Sequence, residues 1–295
     1  MRSADAPGMP VETGSPVAIR DTGRESGTGT PVLLLHASAS TGGQWNALVE
    51  RLVPHRRVLV ADLAGCGASG DWYAGAPALE REAAALAERI AAIDPALEGP
   101  IHLVGHSFGG AIATRLALLD PARVRSLTAI EPVLFHLLRD GTAAERRLHA
   151  GVARLAARMR AATATDAMAD FVDFWNGAGT FAALKPAVRD ALVPQAARVA
   201  ANFASLDAER FPLAALRALS MPALLLMGGA SRPETQRIVS RMFDTLPAAA
   251  LGIVGDAGHM LPITHRDVVN DRIAAHLDEI DGRGAFAVPA TRHAA

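Results

Sequence analysis

Cysteine and lysine are almost missing from this chain. With Cys66 alone among 295 residues, no disulfide can form within it and no metal site can be built on several thiolates. A single thiol suits a reducing compartment. Lys185 is the only lysine, so positive charge rests on arginine, and the formal net charge is -1. That balance provides no basic excess of the kind that draws nucleic acid or an anionic membrane surface. Long apolar runs are missing too: none reaches the roughly 18 residues a membrane helix needs. Residues 1–15 are rich in Gly, Pro and Ser and lack the apolar core of a signal peptide. His102, His136, His265 and His276 show no metal-ligand spacing with carboxylates. These absences lead to the expectation of a cytoplasmic protein that acts on a small molecule, with no cofactor, metal, nucleic acid or membrane as partner. They leave the oligomeric state open.

What is present is an alternation of short apolar runs with helical stretches. Strands are predicted at 17–20, 31–36, 57–62, 101–104, 124–130, 223–227 and 249–254, from continuous apolar character. Helices are predicted at 43–53, 77–93, 108–119, 234–246 and 267–280. Thr264 stands three residues before Asp267, a capping-box spacing for the last helix. Such alternation implies an α/β fold, a mostly parallel sheet with helices on both faces. Residues 133–212 break the pattern: they are helical by composition and hold no strand-like run. The expected organisation is a core of 15–132 and 213–281, a helical cap of 133–212, and loose tails at 1–14 and 282–295. Six of the 9 phenylalanines fall within 135–211, joined by Trp175. Most must form the cap's own core, while some are expected to seal an apolar pocket.

The chemistry concentrates in Gly105-His106-Ser107-Phe108-Gly109. A Gly-x-Ser-x-Gly pattern alone is common, and its plain reading is a glycine-rich turn that caps a helix. Here a buried strand runs into it and a helix leaves it, the strand–turn–helix setting of a nucleophile elbow. The turn must be tight, which places Ser107 in a strained backbone conformation. It lifts the hydroxyl above the carboxyl end of the sheet, where open α/β sheets bind ligands. The Phe108 N–H points to the same place and can donate to an oxyanion.

These residues resemble the α/β-hydrolase family, in the branch that carries a helical cap, over about residues 17–281. Leu35-His36-Ala37-Ser38, followed by Trp45, is similar to the family's oxyanion loop, with Ala37 where glycine is usual. Asp62-Leu63-Ala64-Gly65-Cys66-Gly67-Ala68-Ser69 resembles its Asp-x-x-Gly-x-Gly-x-Ser turn, and Gly255-Asp256-Ala257-Gly258-His259-Met260 its histidine loop. The resemblance implies Ser107 as nucleophile, His259 as general base, and the N–H groups of Ser38 and Phe108 as oxyanion donors. It implies turn-forming roles for Asp62 and Asp256, and a hydrogen bond within the oxyanion loop for His36. His106 is expected to point away from Ser107 and either to pack or to support the site from behind.

The third triad member departs from the family pattern. Ser231 stands where the family usually places an aspartate after the strand that follows the cap. Some relatives carry the acid one strand earlier, and Glu131 in Ala129-Ile130-Glu131-Pro132 occupies that place. Glu234 is the second candidate, though a helix start attracts acidic residues on dipole grounds alone. The expected triad is Ser107, His259 and Glu131. A serine nucleophile favours acyl transfer. The expected activity is therefore hydrolysis of a carboxylic ester or lactone of a small to medium apolar substrate through an acyl-enzyme. C–C hydrolysis, perhydrolysis and cofactor-free oxygenation on the same fold remain alternatives, as does a non-catalytic ligand binder.

Overall fold

In a computed structural model, the described residues run from 17 to 283, apart from 24, 71–77, 95–96 and 98. The predicted tail at 1–14, all of the one at 282–295 except its first two residues, and the first residue of the helix expected at 77–93 lie outside them. Gly282 and Arg283 are described, and Arg283 donates to the His55 carbonyl at 2.7 Å rather than hanging loose. In chain order the first elements are β1 (Ala18–Asp21), β2 (Gly29–Leu35), α1 (Asn46–Leu52), β3 (Arg56–Asp62), α2 (Leu79–Ile93), β4 (Ile101–His106), α3 (Phe108–Leu119) and β5 (Val124–Ile130). Five helices follow: α4 (Ala143–Ala161), α5 (Ala164–Asn176), α6 (Thr180–Ala183), α7 (Pro186–Leu192) and α8 (Ala196–Ala208). The chain then returns as β6 (Ala223–Gly228), α9 (Pro233–Thr245), β7 (Ala249–Val254), α10 (Leu261–Thr264) and α11 (Arg266–Ile280).

The seven strands form one sheet in the order β1-β3-β2-β4-β5-β6-β7. β1 pairs antiparallel to β3, and every other pairing is parallel. Strand side chains alternate between two buried faces, as a period of two demands. Leu33, Leu35, Leu103, Leu127 and Leu225 join the core packed by α2 and α3. Val32, Leu34, Val104, Leu224 and Leu226 join a second core with Leu48 and Leu52 of α1 and Ile273 and Leu277 of α11. Burial on both faces is why these strands read as continuous apolar runs.

The helices between β5 and β6 begin at recognisable signals. Thr142 caps α4, accepting from the Glu145 N–H, while the Glu145 side chain bonds back to the Thr142 N–H. Thr163 caps α5 through the Asp166 N–H. Pro186 opens α7. Their apolar faces, among them Val152, Leu155, Met168, Val199 and Phe203, merge into the first of the two cores.

One expected signal proves different. Thr264 does not cap the last helix: it ends the short α10, its hydroxyl bonds to the Met260 carbonyl, and His265 stands at the start of α11 without a side-chain cap. The Pro262 turn makes its own one-turn helix there, so Thr264 is spent inside that helix.

Candidate active site

Every parallel strand ends at the same edge of the sheet, and the candidate residues sit on the turns just beyond β2, β4, β5 and β7. Ser107 follows β4 directly, at φ 56 and ψ -116. Few non-glycine residues adopt a positive φ, and those that do cluster at functional sites. The turn closes because Gly105 and Gly109 let backbones touch. A Cβ on Gly109 would come 2.4 Å from the Leu35 carbonyl oxygen, and one on Gly105 would come 2.3 Å from that of Gly109. The Ser107 N–H donates to the Ile130 carbonyl at 2.9 Å, which ties the elbow to the end of β5.

Glu131 follows β5 and also has a positive φ, 42°. It is fully buried. Its Oε1 accepts from the Gly228 N–H at 2.8 Å. Its Oε2 stands 2.7 Å from His259 Nδ1, and His259 Nε2 stands 2.9 Å from Ser107 Oγ. Three residues from three different turns thus form one hydrogen-bonded line. Burial pushes the Glu131 carboxyl up, but the bond and charge of His259 and the Gly228 N–H outweigh it and hold it below the usual carboxylate range. Ser231 is buried beside that carboxylate and also favours its charged form, without a hydrogen bond of ordinary geometry. Glu234, the other candidate acid, lies in the first turn of α9 and pairs with Arg232 at 3.2 Å.

The loop after β2 carries Ser38. His36 anchors this loop: its Nδ1 donates to the Ala37 carbonyl at 2.7 Å, and its Nε2 accepts from the Leu63 N–H at 2.9 Å. Burial pushes the His36 ring down to about 4, so it stays neutral at pH 7 and can accept. Phe108 is the first residue of α3, and the first amides of a helix have no intrahelical carbonyl partner. Asp62 fixes the neighbouring turn through the N–H groups of Gly42 and Ala68. Asp256 pairs with His265 at the surface.

Four features were not legible beforehand. Gln44 accepts from the Ala37 N–H and donates to His106 Nδ1, and His106 Nε2 donates to the His259 carbonyl. This relay joins the Ser38 loop to the His259 loop. Burial and the neighbouring His259 push His106 down to about 3, which keeps it neutral. Asn202 of α8 donates to Ser38 Oγ at 2.7 Å. One turn earlier, Arg198 binds the fully buried Glu82 of α2 at 2.8 Å, and Glu82 also accepts from the Ala64 N–H. Their i, i+4 spacing on an otherwise small and apolar helix was the only hint. Finally, the Trp175 indole lies flat on the His259 ring, with centroids 3.7 Å apart and planes 15° apart.

The arrangement is that of a hydrolase: an elbow serine, a histidine against it and a buried carboxylate behind. The sequence profile of the alpha/beta hydrolase fold family matches residues 30–266. The chain belongs to that family. Among curated relatives, a pimeloyl-[acyl-carrier protein] methyl ester esterase of Aeromonas hydrophila is 37% identical over 114 residues, 39% of this chain and 42% of that enzyme. The likeness thus spans less than half the length of that relative. Among solved structures, a thermophilic esterase from Thermogutta terrifontis superposes with a TM-score of 0.65 at 24% identity, over 90% of this chain and 94% of that one. The enol-lactonase from Burkholderia xenovorans LB400 does so with a TM-score of 0.68 at 20% identity, over 90% and 98%. At those identities the likeness is one of fold.

Proposed function

We propose that the protein is a serine hydrolase that cleaves a carboxylic ester or lactone of a small to medium apolar substrate through an acyl-enzyme. The observation that carries this reading is the line Ser107 Oγ, His259 Nε2, His259 Nδ1, Glu131 Oε2, with spacings of 2.9 and 2.7 Å. In the proposed reaction, His259 Nε2 takes the Ser107 proton as Oγ attacks the carbonyl carbon. Glu131 keeps the proton on Nδ1 and stabilises the imidazolium. The N–H groups of Ser38 and Phe108 receive the oxyanion, each worth about 2.7–4 kcal/mol in comparable sites. His259 then gives its proton to the leaving oxygen. Water repeats the sequence on the acyl-enzyme and releases the acid.

In this reading, 133–212 acts as a cap. Its Phe135, Phe171, Phe174, Trp175 and Phe203 pack ring against ring, and Trp175 lies on His259, which favours an apolar acyl or leaving group. The esterase name of the A. hydrophila relative supports the same class. A cytoplasmic place belongs to the same proposal and agrees with the single buried cysteine. Among the described residues, no helix is long and apolar enough to cross a membrane.

A fluorophosphonate probe and a p-nitrophenyl ester series test the proposal together. Wild type is expected to label at one site and to release p-nitrophenol. Ser107→Ala is expected to lose both while keeping its far-UV circular dichroism. A folded wild type that neither labels nor turns over any ester would overturn it.

A further inference from the structure

Trp175 is placed for more than packing. It sits in the last turn of α5, and Asp173 pins the turn that follows by accepting from the N–H groups of Gly179 and Phe181. Phe135, just past β5, stacks on its indole with centroids 6.4 Å apart. Phe174 meets it edge-on at 4.7 Å. Arg232, from the turn after β6, lies 3.9 Å over the Phe174 ring and donates to the Phe174 carbonyl. The indole is therefore held from both sides of the β5–β6 edge, and its free face meets the imidazole of His259. Trp175 and His259 are 8% and 2% exposed, so little water dilutes the contact.

We propose that Trp175 is a positioning residue for His259, which locks the ring in plane and stabilises the imidazolium formed when Ser107 is deprotonated. An indole face is the best aromatic partner for a cation, and the attraction grows when both are desolvated. The role rests on the hydrolase reading above. It also gives the inserted helices a task in the chemistry, since the base is completed only when α5 is seated. The groups around His259 leave this role to Trp175. Glu131 meets the ring edge at Nδ1, and His106 lies tilted at 5.2 Å and neutral. Arg232 is one ring further out, behind Phe174. Asp256 and His265, on the loop and turn that flank His259, pair with each other.

Full-length Trp175→Leu and Trp175→Phe test it. Trp175→Leu is expected to lower kcat on a p-nitrophenyl ester about tenfold with little change in KM. It is expected to move the acid limb of kcat/KM down by about half a pH unit or more. A merely structural loss that wets the ring would move that limb up, because water favours the charged form. Trp175→Phe should recover most of both effects. In NMR spectra the His259 Cε1–H resonance should lie upfield in wild type and move downfield in Trp175→Leu, as the ring current is removed. Should Trp175→Leu not fold, Trp175→Phe decides alone, with a smaller shift of the acid limb in the same direction. An unmoved or raised acid limb, an unmoved resonance, or a rise in kcat/KM from an unblocked site would each overturn the role. The NMR readout needs no turnover. Failure on every ester would therefore count against the hydrolase reading, while the resonance still reports the stack.

Discussion

Ser107 and Glu131 share an uncommon property: both are non-glycine residues with positive φ, at 56° and 42°. Such a backbone costs on the order of 1–3 kcal/mol at each site and persists only where surroundings over-determine it. The surroundings here are the next strands of the sheet. The Ser107 N–H bonds to the carbonyl ending β5, and the Glu131 N–H bonds to Leu226 of β6 at 2.9 Å. The two candidate acids differ accordingly. Glu131→Gln is expected to cut kcat steeply, up to about 10⁴-fold as in other triads, whereas Glu234→Gln is expected to leave it within a few-fold. Steady-state kinetics on one ester distinguishes them, and the reverse ranking would move the acid role to α9. Residue type and order made Ser107 and His259 legible in the sequence. They also favoured Glu131 over Glu234 as the acid, but its distance to His259 depends on the β5–β6 pairing, which no local pattern reports.

At the scale of elements, the elbow works because β4 and α3 approach more closely than any side chain allows. α3 also comes close to the end of β2, at Gly109 against the carbonyls of Leu35 and His36. Gly109→Ala should push α3 away from the end of β2, which carries the Ser38 loop. The expected cost is about 1–3 kcal/mol in urea unfolding, together with a lower kcat, since Ser38 and Phe108 would part. An unchanged kcat would mean that their spacing does not matter. Strand and helix existence was readable from apolar periodicity, and β5, β7 and α3 fall where it places them. The start of the last helix was readable to within one residue, at 267 against Arg266, but its cap was not, because Thr264 belongs to α10. The hold of α8 on α2 and on the Ser38 loop, through Arg198 and Asn202, showed in the sequence only as their i, i+4 spacing. It pairs residues more than a hundred positions apart, which no local pattern reports.

Across the whole molecule, the opposite edge of the sheet repeats the same residue types to another end. His102 Nδ1 meets Ser126 Oγ at 2.7 Å, and its Nε2 meets Asp281 at 3.2 Å. Both ring nitrogens are used the other way round from His259, and Ser126 and His102 are fully buried within β5 and β4. With Arg56 and Thr30 also on Asp281, this cluster fastens the end of α11 to the sheet. It also marks the molecule's sensitivity to acid. Burial pushes His36, His102 and His276 down to about 4 and His106 and His136 down to about 3. The unfolded chain would protonate these rings near their ordinary value of about 6.5. Their contribution is thus complete above that pH and is lost as the pH falls toward the folded values. The slope reaches up to about 1.4 kcal/mol per pH unit for each ring. Urea unfolding at pH 7 and pH 5 should show a marked loss in wild type and a smaller one in His276→Gln, whose depression comes from burial alone. Equal losses would exclude His276 from the effect. The sequence by itself determined the strand and helix alternation, the elbow, and the order of serine, acid and histidine. Those depend on local sterics and on short-range apolar periodicity. Only the tertiary structure brought Glu131 to within 2.7 Å of His259, laid Trp175 over the ring, and set α8 against Ser38. Each of those contacts joins turns from distant parts of the chain, and strand register and helix seating, rather than local composition, set their distances.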